Sequence, residues 1–119
     1  MILCATEDLL FSITISSAAK RLGVDLYFER RPGRVVASVQ ERQPTMAILD
    51  LNSPRLNPLA VIADIKSDPS LAGVSLLGYV SHVDSDTIAK ARAAGIDDVL
   101  ARSAFVAQLG QILERGSAR

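Results

Sequence analysis

The segment AILDLNSPRLNP, residues 47–58, joins a short apolar run to a loop that contains two prolines. An apolar run without alternating polar residues is typical of a strand buried on both faces of a parallel sheet. The run ends on Asp50, and a carboxylate at the end of a buried strand has two ordinary explanations. It caps the backbone that follows, or it is the reactive group of a site. The rest of the chain decides between them.

Five short runs rich in strand-forming residues recur along the chain. They span residues 2–5, 24–28, 46–51, 74–80 and 98–101. Each run is followed by apolar residues at helical spacing, as with Phe11, Ile15 and Leu22 after the first, where Gly23 is a helix stop signal. This alternation predicts an α/β protein, a flavodoxin-like (βα)5 doubly wound parallel sheet with strand order 2-1-3-4-5.

The predicted sheet brings two acidic segments together. Ligands of a doubly wound sheet bind beyond the carboxyl ends of the strands, where the strand order reverses. Strands one and three meet there, so Thr6, Glu7 and Asp8 are expected to lie near Asp50. Like charges held so close raise one another's pKa unless a cation lies between them. Because Mg²⁺ is often held by one or two carboxylates plus a phosphate, it is the candidate cofactor.

The composition is that of a globular protein, with 119 residues of which 49% are hydrophobic. Its 13 basic residues balance its 13 acidic ones, so we expect neither a nucleic-acid nor a membrane partner. Cys4 is the only cysteine, which excludes an internal disulfide, and His82 has no partner for a triad or a zinc site. No apolar run reaches the roughly 18 residues of a membrane helix. We therefore expect residues 1–119 to form a single cytoplasmic domain without an output segment.

Three segments carry a more specific pattern: DLNSP at 50–54, DPSLAGVSLLGYVSHVD at 68–84 and AGIDDVLARSAF at 94–105. In this order along a (βα)5 chain, they resemble the receiver domain of bacterial two-component response regulators over nearly the whole length. That family has a pair of acids after strand one, a phosphoryl-accepting Asp at the end of strand three and a Pro four residues later. The resemblance implies that Asp50 is the phospho-acceptor position and that Pro54 is the loop proline.

The chain departs from the family pattern around the metal and the phosphoryl group. Thr6 stands at the first position of the acidic pair, and Glu7 stands at the second, the position of the family's direct metal ligand. Glu7 and Asp50 are therefore weak candidates for holding Mg²⁺. Arg102 stands at the position of the family's phosphoryl-contacting Lys. A guanidinium prefers bidentate carboxylates, so we expect Arg102 to form an ion pair with Asp50, which would make Asp50 a poor phosphoryl acceptor.

Further departures fall on the residues that read the phosphoryl group. The hydroxyl residue that closes strand four in the family corresponds to Val80, or to Ser81 if the match is shifted by one residue. A missing hydroxyl would remove a charge-assisted hydrogen bond from the switch. Val99 stands at the position of the aromatic switch residue. Ser103 replaces the proline expected after the Lys, and Pro58 stands where the family has a Gly.

These departures favour a degenerate or pseudo-receiver, a stand-alone signalling domain of a phosphorelay that acts by protein–protein interaction with weak or no phospho-switching. The alternative is a functional receiver that is phosphorylated on Asp50 in a Mg²⁺-dependent reaction. Neither hypothesis makes the chain an enzyme beyond self-phosphorylation from a phosphodonor. The expected partner is a histidine kinase or a downstream effector. The resemblance also implies a homodimer through the fourth helix, the fifth strand and the fifth helix, about residues 88–113.

Overall fold

The computed structural model describes residues 1–81 and 84–117, so His82, for which the sequence predicts neither a triad nor a zinc site, lies outside the described part. The strands are β1 (Ile2–Ala5), β2 (Leu26–Glu29), β3 (Met46–Asp50), β4 (Ser75–Val80) and β5 (Asp98–Ala101). They form one parallel sheet in the order β2-β1-β3-β4-β5. The predicted fold class and strand order are confirmed.

Helices follow every strand, and the last strand is followed by two. They are α1 (Leu9–Leu22), α2 (Val35–Arg42), α3 (Pro58–Lys66), α4 (Ser85–Ala94), α5 (Arg102–Ala107) and α6 (Leu109–Ser117). The sequence predicts a single final helix, and this prediction is wrong because the backbone of Gln108 leaves the helical region at φ −106° and ψ 9°. Among the described residues, no helix has the length and apolar character that crossing a membrane requires.

The core is divided between the two faces of the sheet. One cluster packs α2, α3 and α4 against alternate strand residues, and we call it the first core cluster. The second core cluster packs α1, α5 and α6 against the other strand residues. Because successive strand residues point to opposite faces, Val80 belongs to the first core cluster while its neighbour Tyr79 belongs to the second. Helices therefore pack against both faces of the sheet and hold the carboxyl ends of its strands in place.

Helix α1 starts directly after the acidic segment and fixes its backbone. Asp8 is the N-cap of α1, and its carboxylate accepts a hydrogen bond of 2.9 Å from the Phe11 N–H. An N-cap carboxylate satisfies a backbone donor that the helix cannot and interacts favourably with the positive end of the helix dipole. The helix ends at Gly23, whose φ of 69° is in the left-handed region that favours glycine.

Candidate functional site

Asp50 is the last residue of β3 and lies at the carboxyl edge of the sheet, as the sequence predicts. Its Oδ1 atom accepts a hydrogen bond of 3.0 Å from the Asn52 N–H. Its Oδ2 atom accepts a longer bond of 3.5 Å from the Thr6 hydroxyl, so the predicted meeting of the segments after β1 and β3 occurs. Burial raises the pKa of Asp50, and the negative charge of Asp8 raises it further, while the Asn52 N–H opposes both effects.

Thr6 is fully buried and links Asp50 to the interior of the protein. Its hydroxyl oxygen accepts hydrogen bonds from the Asp8 N–H at 3.1 Å and from the Tyr79 hydroxyl at 2.9 Å. Tyr79 lies opposite Asp50 in the β3–β4 register, on the same face of the sheet. The result is a hydrogen-bonded series in which Tyr79 donates to Thr6 and Thr6 donates to Asp50.

Tyr79 is a site residue that sequence reasoning missed. Its ring is completely buried and packs against Phe11, with centroids 4.8 Å apart, and against Phe105, with centroids 5.4 Å apart. Burial raises the pKa of Tyr79, so its hydroxyl stays protonated and donates a hydrogen bond to the Thr6 hydroxyl oxygen. The signal in the sequence was a polar aromatic residue in an apolar strand, but only the strand register brings it opposite Asp50.

Glu7 is held by the loop that follows β3. Its carboxylate accepts a hydrogen bond of 2.7 Å from the Ser53 hydroxyl and one of 2.9 Å from the Arg55 guanidinium. The Glu7 side chain is 27% exposed and that of Arg55 is 71% exposed, so this ion pair lies at the surface beside the site. A guanidinium therefore neutralises the carboxylate that the family resemblance implies as a metal ligand.

The residues around Asp50 do not fit a resident divalent ion in this arrangement. In the described part of the chain, no group of three or more acidic, His or Cys side chains gathers closely enough to hold a metal. Hard cations such as Mg²⁺ and Mn²⁺ require several oxygen ligands. Here Thr6 supplies a hydroxyl in place of one carboxylate, and the Glu7 carboxylate is already paired with Arg55.

The expected ion pair between Arg102 and Asp50 is wrong. The Arg102 guanidinium instead contacts Asp8, with Nη1 at 3.0 Å from Oδ2, and its Cζ atom lies 4.0 Å from the centroid of the Phe11 ring. The reason is that α5 starts beside the first turn of α1, so the side chain stacks on Phe11 and reaches the partly exposed N-cap acid Asp8. The hydrogen bond from Phe11 N–H and the charge of Arg102 both lower the pKa of Asp8.

Three residues are candidates for the two positions that read the phosphoryl group in the family: Val80 or Ser81 for the hydroxyl position and Val99 for the aromatic position. Val80 is buried in the first core cluster, and Val99 is buried in the same cluster. Ser81 is exposed, and its backbone N–H donates a hydrogen bond of 2.6 Å to the Asn52 side-chain oxygen. Val80, Ser81 and Arg102 line a shallow groove beside the start of α5. Whether Val80 or Ser81 takes the switch position stays a prediction.

The fold is similar to solved structures of response regulators. A response regulator from Hahella chejuensis is 19% identical with a TM-score of 0.84, covering 98% of this chain and 95% of that one. The phosphorylated cyanobacterial phytochrome response regulator RcpA is 26% identical with a TM-score of 0.70, covering 96% and 89%. The Mn²⁺-bound form of response regulator Rcp1 is 18% identical with a TM-score of 0.75, covering 93% and 89%.

No protein-family model and no curated protein matches this sequence. The similarity therefore rests on the path of the backbone over almost the entire chain, together with the predicted and observed strand order. The edge of the sheet where Thr6 and Asp50 meet is the edge at which doubly wound sheets bind their ligands. These observations agree on one conclusion: the chain has the fold of a response-regulator receiver domain.

Proposed function

We propose that this chain is an atypical receiver-like signalling domain that acts by protein–protein interaction, with weak or no phospho-switching at Asp50. The observation that carries the proposal is the engagement of Glu7 by Ser53 and Arg55. This pairing occupies the carboxylate on which a metal ion at the site would depend. The partner on this proposal is another cytoplasmic signalling protein, either a histidine kinase or a downstream effector.

A second observation supports the same proposal. The side chain at the first acidic position is the Thr6 hydroxyl, which is buried and committed to Tyr79, Asp8 and Asp50. Replacing a carboxylate by a hydroxyl removes one negative charge from the site, and negative charge is what concentrates a divalent cation there. Thr6 and Arg55 together leave Asp50 with little support for binding a metal.

The alternative is a functional receiver phosphorylated on Asp50, and one observation favours it. Among the described residues no Lys or Arg pairs with Asp50, since Arg102 pairs with Asp8. Asp50 is also partly exposed, so a phosphodonor has access to its carboxylate. In this reaction a carboxylate oxygen attacks phosphorus and the bond from phosphorus to the leaving group breaks. Among the similar solved structures, RcpA is phosphorylated and Rcp1 has Mn²⁺ bound. Phosphorylation of this chain and its binding of a divalent ion therefore both merit a direct test.

The intact mass of the purified chain, after incubation with Mg²⁺ and acetyl phosphate, tests the proposal. We expect little or no species carrying one added phosphoryl group, because the acid pair that supports transfer is incomplete. Asp50→Asn is the matched control, since it removes the acceptor oxygen but keeps the shape of the side chain. Near-complete phosphorylation that disappears in Asp50→Asn would establish the alternative instead.

Replacing Arg55 by alanine is expected to strengthen the binding of Mn²⁺ to the protein. The change removes the cation that pairs with Glu7. Because the pair is largely exposed, we expect an increase in affinity of roughly threefold to tenfold. Titration calorimetry or paramagnetic broadening of amide signals measures it, with Arg34→Ala as control because Arg34 pairs with Glu41 elsewhere on the surface. Equal Mn²⁺ affinity in the wild type and Arg55→Ala would contradict the inhibitory role of Arg55.

A further inference from the structure

A groove of about 370 Å³ lies between α1 and the end of β2. Helix α1 lines it with Leu9, Ile13 and three serines, and the end of β2 lines it with Phe28 and Arg30. Because successive strand residues point to opposite faces, these two lie on the α1 side of the sheet, while Glu29 faces α2. The volume falls within the range of roughly 300–1,000 Å³ that is typical of small-molecule sites. The groove therefore combines an apolar wall, hydroxyl groups and one cation.

The guanidinium of Arg30 is held in place by contacts within the protein. Its Nη1 atom donates a hydrogen bond of 2.7 Å to the Ser12 hydroxyl oxygen and one of 3.5 Å to the Thr6 carbonyl oxygen. Its Cζ atom lies 4.8 Å from the centroid of the Phe28 ring. Ser12 is buried, and its hydroxyl donates to the Asp8 carbonyl oxygen at 2.8 Å, which leaves its oxygen to accept from Arg30. A side chain that is ordered before a ligand arrives loses little conformational entropy on binding.

The other edge of the Arg30 guanidinium is open. The two hydrogens of Nη1 are used in the bonds above, which leaves the N–H groups of Nε and Nη2. Neither nitrogen has an acceptor among the described residues, and no buried side-chain nitrogen there lacks a partner, so both are accessible to solvent. Four other arginines each pair with a carboxylate of the chain: Arg31, Arg34, Arg55 and Arg102. Within the described part, Arg30 has no such partner, so it can accept a carboxylate from outside.

We propose that this groove binds a small organic carboxylate with an apolar body, and that the carboxylate pairs with the open edge of Arg30. Charge complementarity identifies the acidic group. Arg30 is the one charged residue that lines the groove in the described part of the chain, so it neutralises one negative charge, and a phosphate dianion would stay half compensated. The nearby acids do not compete, since Glu29 is engaged by Arg31 on the α2 side and Asp8 is engaged by Arg102.

The wall beside Arg30 identifies the body of the ligand. Leu9 and Ile13 are one helical turn apart and are 65% and 61% exposed, and the half-buried Phe28 ring lies across the groove from them. A simple ion on Arg30 would leave this surface in water, whereas an aromatic or aliphatic body removes it from water. Binding in this groove goes beyond the proposed function and does not depend on phosphorylation of Asp50.

Titration of the full chain with 4-phenylbutyrate, followed by amide NMR, tests the ligand class. We expect saturable shifts of the signals of residues 9–17 and 28–30, with a dissociation constant in the low millimolar range or tighter. The uncharged 4-phenylbutyramide and the small ion acetate are the matched controls, and each is expected to bind at least tenfold more weakly. Absence of saturable shifts in these residues, or equal binding of either control, would overturn the proposal.

Variants test the residues that carry the proposal. Arg30→Gln removes the cation, and we expect the dissociation constant for 4-phenylbutyrate to rise roughly tenfold or more. The matched control is Arg21→Gln, the same change at an exposed arginine in the last turn of α1, outside the groove. Ile13→Glu places a negative charge on the exposed wall, where circular dichroism is expected to show an unchanged fold, and is likewise expected to weaken binding. Wild-type affinity in either Arg30→Gln or Ile13→Glu would overturn the proposal.

Discussion

Replacing Phe105 by alanine is expected to lower the free energy of unfolding by about 3–5 kcal/mol. Phe105 lies in α5, is completely buried and packs against the rings of Phe11 and Tyr79, with centroids 5.7 Å and 5.4 Å away. Removing the ring loses its burial and leaves a cavity that rigid neighbours fill only in part. The same ring supports Tyr79, whose hydroxyl donates to Thr6 beside Asp50. The core and the site are therefore coupled at this position.

Urea denaturation followed by circular dichroism measures the Phe105 effect. Val106→Ala is the matched control, since Val106 is the next residue of the same helix and is 44% exposed. Exposed positions change stability by about 0.5 kcal/mol or less unless they touch a special feature. Phe105→Leu keeps part of the side-chain volume and is expected to fall between the wild type and alanine. Equal stabilities of Phe105→Ala and Val106→Ala would contradict the packing described for α5.

Replacing Glu29 by glutamine is expected to remove roughly 2–3 kcal/mol of stability at neutral pH. Glu29 is 1% exposed and ends β2, where its carboxylate accepts two hydrogen bonds from the Arg31 guanidinium at 2.8 and 3.0 Å. It also accepts a hydrogen bond from the Ser38 hydroxyl, which ties β2 to α2. The Arg31 side chain is 62% exposed, so most of the expected loss comes from the buried carboxylate and its donors.

The contribution of Glu29 is expected to depend on pH. Hydrogen bonding to Arg31 lowers the pKa of Glu29 from 4.5 to about 2, although burial opposes the shift. Because the folded pKa lies below the unfolded one, the contribution is complete above about pH 4.5 and is lost as the pH falls toward about 2. Chemical denaturation of the wild type and Glu29→Gln at neutral pH and at about pH 3 measures this, and the difference between them is expected to shrink.

Glu41→Gln is the control for Glu29. Glu41 lies on α2 and pairs with Arg34, and both side chains are exposed, at 62% and 41%. An exposed ion pair contributes about 0–1 kcal/mol, so this variant is expected to show little change at either pH. A stability difference between the wild type and Glu29→Gln that is the same at both pH values would contradict the assignment of an ionised, buried Glu29.

The sequence predicts the sheet well because its strands are apolar runs separated by helix stop signals. The segment that ends on Asp50 is the clearest case, since a parallel strand buried on both faces leaves little room for another interpretation. The strand β2 is less well defined, observed at Leu26–Glu29 against a prediction of 24–28. It lies at the edge of the sheet and ends on Glu29. Glu29 is buried, whereas its charge leads a hydropathy pattern to predict a solvent-exposed residue.

The site is only partly predictable because its contacts depend on side-chain reach. The strand order brings Thr6 and Asp50 to one edge, and this prediction is confirmed by their hydrogen bond. The partner of Arg102 is Asp8, because stacking on Phe11 directs the guanidinium to α1. A match to the family pattern assigns one residue to each role in the phosphoryl site. It does not show that Arg102 lies next to Asp8 and Phe11. The register that brings Tyr79 opposite Asp50 likewise emerges only once the strands are paired.

The role that we propose for Asp50, an acceptor position with weak or no phospho-switching, connects these observations. The acid remains at the carboxyl end of β3, while Glu7 is paired with Arg55 and Thr6 is committed to Tyr79. To shift a protein almost completely from one of two conformations to the other, a ligand or phosphoryl group must favour the second conformation by about 5.5 kcal/mol. On this proposal, a site whose Glu7 carboxylate is already engaged has few interactions from which to obtain that energy, and fewer still if the buried Val80 rather than Ser81 takes the switch position.

Amide NMR spectra of the full chain, recorded with Mg²⁺ and beryllofluoride as a phosphoryl mimic, test this most directly. Asp50→Asn recorded under the same conditions is the control. We expect the amide signals of α4, β5 and α5 to keep their positions, because the mimic gains no stable site at Asp50. Saturable shifts that spread from Asp50 into α4 and α5, and that disappear in Asp50→Asn, would contradict this and establish a working phospho-switch.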